Sequence, residues 1–135
     1  MWLLRNQPEM PYELSFTKRL TVPDRDLYIN DCCWGGDQVR DYLLPLVEGR
    51  FEKIQTTRED WGWFIWFRKG EVRLAIDIFC DDTEKGEFRV RVSSERKNGW
   101  LFGRWEIDTP ELEGLKNEVV ARLSAWAGKV EVEQV

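Results

Sequence analysis

The residues with the most chemical potential in this sequence are Phe64 and Trp66, which alternate with charged or apolar neighbours up to Arg68, together with Arg73, Arg89 and Arg91 further along. Aromatic faces stack on planar groups, and guanidinium forks pair with carboxylates and phosphates, so these six residues form a candidate recognition face. The same residue types also have a purely structural use. Arginine stems cover aromatic rings on an exposed sheet, and Arg73 opposite Trp66 would make a cation–π pair. A second group, Asp77, Asp81, Asp82 and Glu84, gathers carboxylates near a loop, but its spacing fits no EF-hand. A solvated turn accounts for Asp81, Asp82 and Glu84, and Asp77 is expected to pair with Arg89 across two strands.

Other chemistry is thinly supplied. The sequence has no histidine, which removes the commonest general base and metal ligand. Cys32 and Cys33 are adjacent and Cys80 is remote, whereas zinc and redox sites space two thiols so that both reach one centre. Small buried thiols are the expectation. Gly35 and Gly36 are not embedded in a phosphate-cradling motif. No cofactor and no metal are therefore expected, and the balance leans away from an enzyme. The eight tryptophans invite a sugar-binding platform, but Trp63 and Trp126 fall on expected core faces.

Composition narrows the partners. A net charge of -5 disfavours duplex nucleic acid and anionic membranes as the main target, since both require positive charge. The apolar start Trp2–Leu4 is far shorter than the run of about 20 residues that a membrane span needs. An odd cysteine count is no disulfide framework and points to a reducing cytoplasm.

The elements that must position the candidate face follow from periodicity. Pro8 and Pro11 mark residues 1–11 as a loose arm, and residues 12–135 are expected to form one α+β domain. Tyr12, Leu14 and Phe16 alternate as a strand, and Leu27–Ile29 suggest a second short one after a turn at Pro23–Asp26. Asp37 is expected to cap a helix through Val39, Leu43 and Val47 that Pro45 disturbs. Arg50–Thr57 reads as a strand whose alternation slips by one residue.

Trp61 to Ser94 predicts a meander of three strands. With Lys69 and Gly70 as the hairpin loop, Phe67 faces Val72 and Trp66 faces Arg73. Trp63, Ile65, Phe67, Val72, Leu74 and Ile76 then share the core face, and Phe64, Trp66, Arg68, Glu71, Arg73 and Ala75 share the other. Glu87–Ser93 supplies the third strand, Glu95–Asn98 a basic loop, and Trp100–Trp105 a further short strand. Thr109 and Pro110 open a final helix presenting Leu112, Leu115, Val119, Leu123 and Trp126, which Gly128 stops. The tail from Val130 is either a short edge strand or frayed.

The fold expected is an antiparallel sheet of about four to six strands with two helices on one face. The function expected is a small cytosolic binding or regulatory module that acts through contacts with another protein or with itself. Two alternatives use the same residues: single-stranded nucleic-acid binding, which net charge disfavours, and a tryptophan-lined pocket for a small molecule or carbohydrate.

Overall fold

The computed structural model describes residues 11–21, 34–98, 104–106 and 109–134. In chain order it contains β1 (Tyr12–Thr17), α1 (Gly36–Leu43), β2 (Glu52–Glu59), β3 (Gly62–Lys69), β4 (Val72–Asp82), β5 (Glu87–Asn98), β6 (Arg104–Glu106), α2 (Pro110–Ala127) and β7 (Glu131–Gln134). The seven strands form one antiparallel sheet in the order β2-β3-β4-β5-β1-β7, and β6 pairs with the far end of β5. The fold is α+β, as the alternation of strand and helix patterns predicts. Six strands run side by side, within the four to six expected, and the short β6 adds a seventh by pairing off that path with β5.

Both helices lie on one face. Leu14 and Phe16 of β1, Trp63, Ile65 and Phe67 of β3, Val72, Leu74, Ile76 and Ile78 of β4, and Phe88, Val90 and Val92 of β5 form a single buried cluster. The cluster is closed by Val39 and Leu43 of α1 and by Leu112, Leu115, Val119 and Leu123 of α2. The two helices are tied to each other by reciprocal bonds: the Tyr42 hydroxyl donates to the Arg122 carbonyl (2.7 Å), and Arg122 Nε donates to the Tyr42 carbonyl (2.6 Å). Trp126 stacks on Tyr42 at 4.3 Å, so it packs at the edge of the core rather than within it.

The helix termini follow local chemistry with one correction. Thr109 Oγ1 accepts from the Leu112 amide, Pro110 occupies the first turn, and Gly128 ends α2 at φ 86°. The cap of α1 is Gly35 at φ 84° and not Asp37, which lies within the first turn. Pro45 cannot donate an amide hydrogen, and α1 stops at Leu43 before a 3₁₀ turn over Leu44–Leu46. Gly36 is required by contact: a Cβ there would lie 2.2 Å from Trp63 Cδ1.

Strand registers depart from the sequence-based alignment by even numbers. Lys69 pairs with Val72, so Gly70 and Glu71 form the hairpin loop, with Gly70 at φ 60°. A positive φ at the first loop residue suits a Gly-X turn of the primed type, and Lys69 is spared a left-handed conformation. Trp66 consequently faces Ala75 and not Arg73. Ile78 likewise pairs with Val90 rather than Phe88, which sets Asp77 opposite Arg91 and not Arg89. A shift of two residues preserves the facing of every side chain, which explains why the predicted core face survives. Two predicted loops are strand instead: Asp81 and Asp82 end β4, and Glu95–Asn98 extend β5. The expected strand at Leu27–Ile29, the turn before it, and Cys32 and Cys33 lie outside the described residues.

Candidate functional site

The sheet face opposite the helices carries three rows of side chains that run across the strands, because directly paired residues in an antiparallel sheet share a face. The first row is Glu52–Arg68–Arg73–Glu95. The second is Gln55–Trp66–Ala75–Ser93. The third is Thr57–Phe64–Asp77–Arg91, continued by Glu13 of β1. Adjacent rows are two residues apart along β3, β4 and β5, about 6.5–7 Å; on β2 the bulge makes the first step three residues.

The middle row is low where Ala75 and Ser93 stand between taller neighbours, and this step forms a groove of about 690 Å³. Its lining includes Trp66, Ala75, Asp77 and Ser93, with Lys53, Arg68 and Arg73 toward one end. Trp66 is the fixed wall. Its ring stacks on Phe64 with centroids 4.0 Å apart and planes 16° from parallel, and its Nε1–H donates to Asp77 Oδ1 at 2.9 Å. It nevertheless keeps 39% of its surface exposed, while Phe64 beneath the stack keeps only 4%. Phe64 therefore supports the platform rather than forming part of the contact surface. Trp61 extends the aromatic layer by packing on Phe79 and Phe64, at centroid distances of 5.2 and 6.4 Å.

Asp77 sits where the groove meets this layer. Burial pushes its carboxyl above the usual aspartate range, opposed by the Trp66 hydrogen bond and by the nearby Arg91 charge. The remaining arginines are largely engaged. Arg91 and Arg89 both donate to Glu13 Oε2, at 2.7 and 3.0 Å, and hold that carboxyl below the usual glutamate range, the Arg91 bond contributing most. Arg89 also pairs with Asp81 at 3.3 Å and lies 4.3 Å from the Phe79 ring. Arg73 forms an ion pair with Glu95. Among the described residues, Arg68 and Lys53 make no ion pair.

The six residues predicted from sequence thus share a face but divide into roles. Trp66, Arg68, Arg73 and Arg91 line the groove, Phe64 is buried under Trp66, and Arg89 belongs to the Glu13 and Asp81 cluster outside it. Sequence reasoning missed Lys53, Gln55 and Ser93. The slip in the alternation of β2 was the available signal for Lys53: the register shifts between Glu52 and Gln55, and Lys53 takes φ 53° at that bulge.

Cys80 is half-buried and is in no disulfide among the described residues. Among the described residues, no group of His, Cys, Asp and Glu is placed to hold a metal ion, and no helix is long and apolar enough to cross a membrane. Fold and site together define an α+β protein with an aromatic-walled groove on the sheet face opposite its two described helices. No protein-family model matches the chain, and no curated protein and no solved structure is significantly similar to it.

Proposed function

We propose that this protein is a cytoplasmic binding module that receives a segment of another protein in the groove on its open sheet face. The observation that carries this reading is Trp66: braced by Phe64 and hydrogen-bonded by Asp77, it still offers 39% of its surface beside an open groove. A side chain held in this way loses little freedom when a partner packs on it, and tryptophan and arginine are the residues that most often dominate protein interfaces. The groove volume of about 690 Å³ accommodates one or two large side chains of a partner. The odd cysteine count supports a reducing compartment.

Protein is favoured over single-stranded nucleic acid by the charge arrangement. Arg73, Arg89 and Arg91 are compensated by Glu95, Glu13 and Asp81 on the same face, so few cations are left to track a phosphate backbone.

A displayed random-peptide library, panned on the wild-type protein and counter-selected on Trp66→Ala, tests the reading. The expected outcome is a set of peptides sharing an aromatic residue, each binding the wild type in calorimetry and losing about tenfold or more in the variant. Enrichment of peptides that ignore the substitution would remove the groove from consideration. Binding of oligonucleotides with steep salt dependence would instead support the nucleic-acid alternative.

A further inference from the structure

We infer that the Lys53–Arg68–Arg73 end of the groove is an oxyanion subsite, taking a carboxylate or phosphate borne by, or next to, a planar group that stacks on Trp66. The inference rests on the reading of the groove as a binding site, and names the chemistry of what enters it.

Three observations converge on that end. Arg68 and Arg73 are directly opposite each other on β3 and β4, an arrangement of like charges that weakens a strand pair. Among the described residues only one of the two is neutralised: Arg73 has Glu95, whereas Glu52, which faces Arg68 in the register, forms no ion pair with it. A guanidinium left with open donors beside a second one is suited to a two-point hold on an oxyanion.

The third observation is the backbone of Lys53. A lysine at φ 53° is uncommon, and such conformations persist where the surrounding structure enforces them, often at sites that bind. Here Lys53 sits in the bulge between Glu52 and Gln55 of the edge strand and lines the groove with Arg68 and Arg73. The bulge sets Glu52 opposite Arg68, the place Lys53 would take if the Gln55–Trp66 register ran on unbroken, and leaves Lys53 outside the ladder but still lining the same end of the groove. The cations lie in the row next to Trp66, one step of about 6.5–7 Å along β3, which is the reach from an aromatic ring to an acidic group on the same ligand or on a neighbouring residue. Of the groove's two carboxylates, Glu95 shares the row of Arg68 and is taken up by Arg73, while Asp77 lies in the opposite row beside Arg91, which leaves Arg68 and Lys53 as the cations available to an anion.

The test is a titration of the full chain, labelled with ¹⁵N, with phenyl phosphate, benzoate, phenol and inorganic phosphate, following the Trp66 Nε1–H and Arg68 Nε–H resonances. Phenyl phosphate or benzoate is expected to shift both resonances saturably, with phenol weaker by about tenfold, the loss of one charged hydrogen-bonded contact. A preference between the two tight probes identifies the source, a phosphorylated residue for the first and an acidic side chain or chain terminus for the second. Arg68→Gln and Lys53→Gly are each expected to weaken the tighter probe by about fivefold or more while leaving core amide resonances unmoved. Equal binding of phenol and phenyl phosphate, or unchanged affinity in both variants, would overturn the inference. If all four probes fail while Trp66-dependent peptides still bind, the groove reading stands and the oxyanion subsite falls. If those peptides fail as well, both fall.

Discussion

Replacing Lys53 separates its backbone from its charge. An L-residue in the left-handed region costs about 1–2 kcal/mol, and Lys53 sits there at φ 53° with its side chain exposed, so little packing is lost when it is removed. Lys53→Ala keeps the unfavourable backbone and should be close to neutral in stability. Lys53→Gly relieves it, less about 0.5–1 kcal/mol for the greater freedom of glycine in the unfolded chain. The glycine variant should therefore be about 1 kcal/mol more stable than the alanine variant, corresponding to roughly 3–5 °C in Tm at this chain length. Urea unfolding followed by tryptophan fluorescence measures the difference, with the slope against denaturant expected to stay constant. Both variants should lose oxyanion affinity to the same extent, because both lose the ammonium group. A glycine variant no more stable than the alanine variant would show that the left-handed bulge is not maintained in solution.

Asp77→Asn keeps an oxygen acceptor for the Trp66 indole while removing a carboxylate whose protonation is favoured by burial. A raised carboxyl means that the folded state holds its proton more firmly than the unfolded state, so ionisation of Asp77 costs stability as pH rises through the folded value and the cost vanishes below the ordinary value of 3.8. The variant should be as stable as the wild type or more so at pH 7, with the advantage disappearing near pH 3 in urea titrations; a less stable variant at pH 7 would contradict this. Glu13 has the opposite sign: its lowered carboxyl contributes stability that is complete above 4.5 and lost as pH falls through the folded value. Glu13→Gln should cost about 1–2 kcal/mol at pH 7, a range discounted for the partial exposure of Arg89 and Arg91, and its difference from wild type should shrink in acid. Gly36→Ala sets a methyl group 2.2 Å from Trp63 Cδ1, and the resulting overpacking should cost about 1–3 kcal/mol, partly offset by alanine's better helix propensity; a variant more stable than wild type in thermal melts would show that Trp63 can yield.

Much of the architecture was legible from local chemistry. The α2 boundaries were marked by Thr109, Pro110 and Gly128, whose effects depend only on nearby backbone, and its core residues followed from the helical repeat. The division of β3 and β4 into a core face and an open face was equally legible, since it depends on alternation alone. The hairpin register was not: loops at Lys69–Gly70 and at Gly70–Glu71 give the same faces, and the choice turns on where a positive φ is tolerated.

The candidate site shows the same division. Periodicity placed Trp66, Arg68, Arg73 and Ala75 on one face, because side-chain direction along a strand is a local property. Whether that face was open depended on both helices packing on the other side, and whether its arginines were available depended on Glu13, supplied by a strand remote in the chain that inserts beside β5. Alternation also put Phe64 beside Trp66 with nothing to rank their exposure, and stacking from Trp61 and Trp66 buried one ring while leaving the other in reach of a ligand. The residue types determined from the outset that this protein had an aromatic and cationic face to offer. The groove itself, with Lys53 lining it from a bulge and Ser93 set beside Ala75 across two strands, was decided only by tertiary pairing, because a depression is a relation among side-chain heights on neighbouring strands and no single strand encodes it.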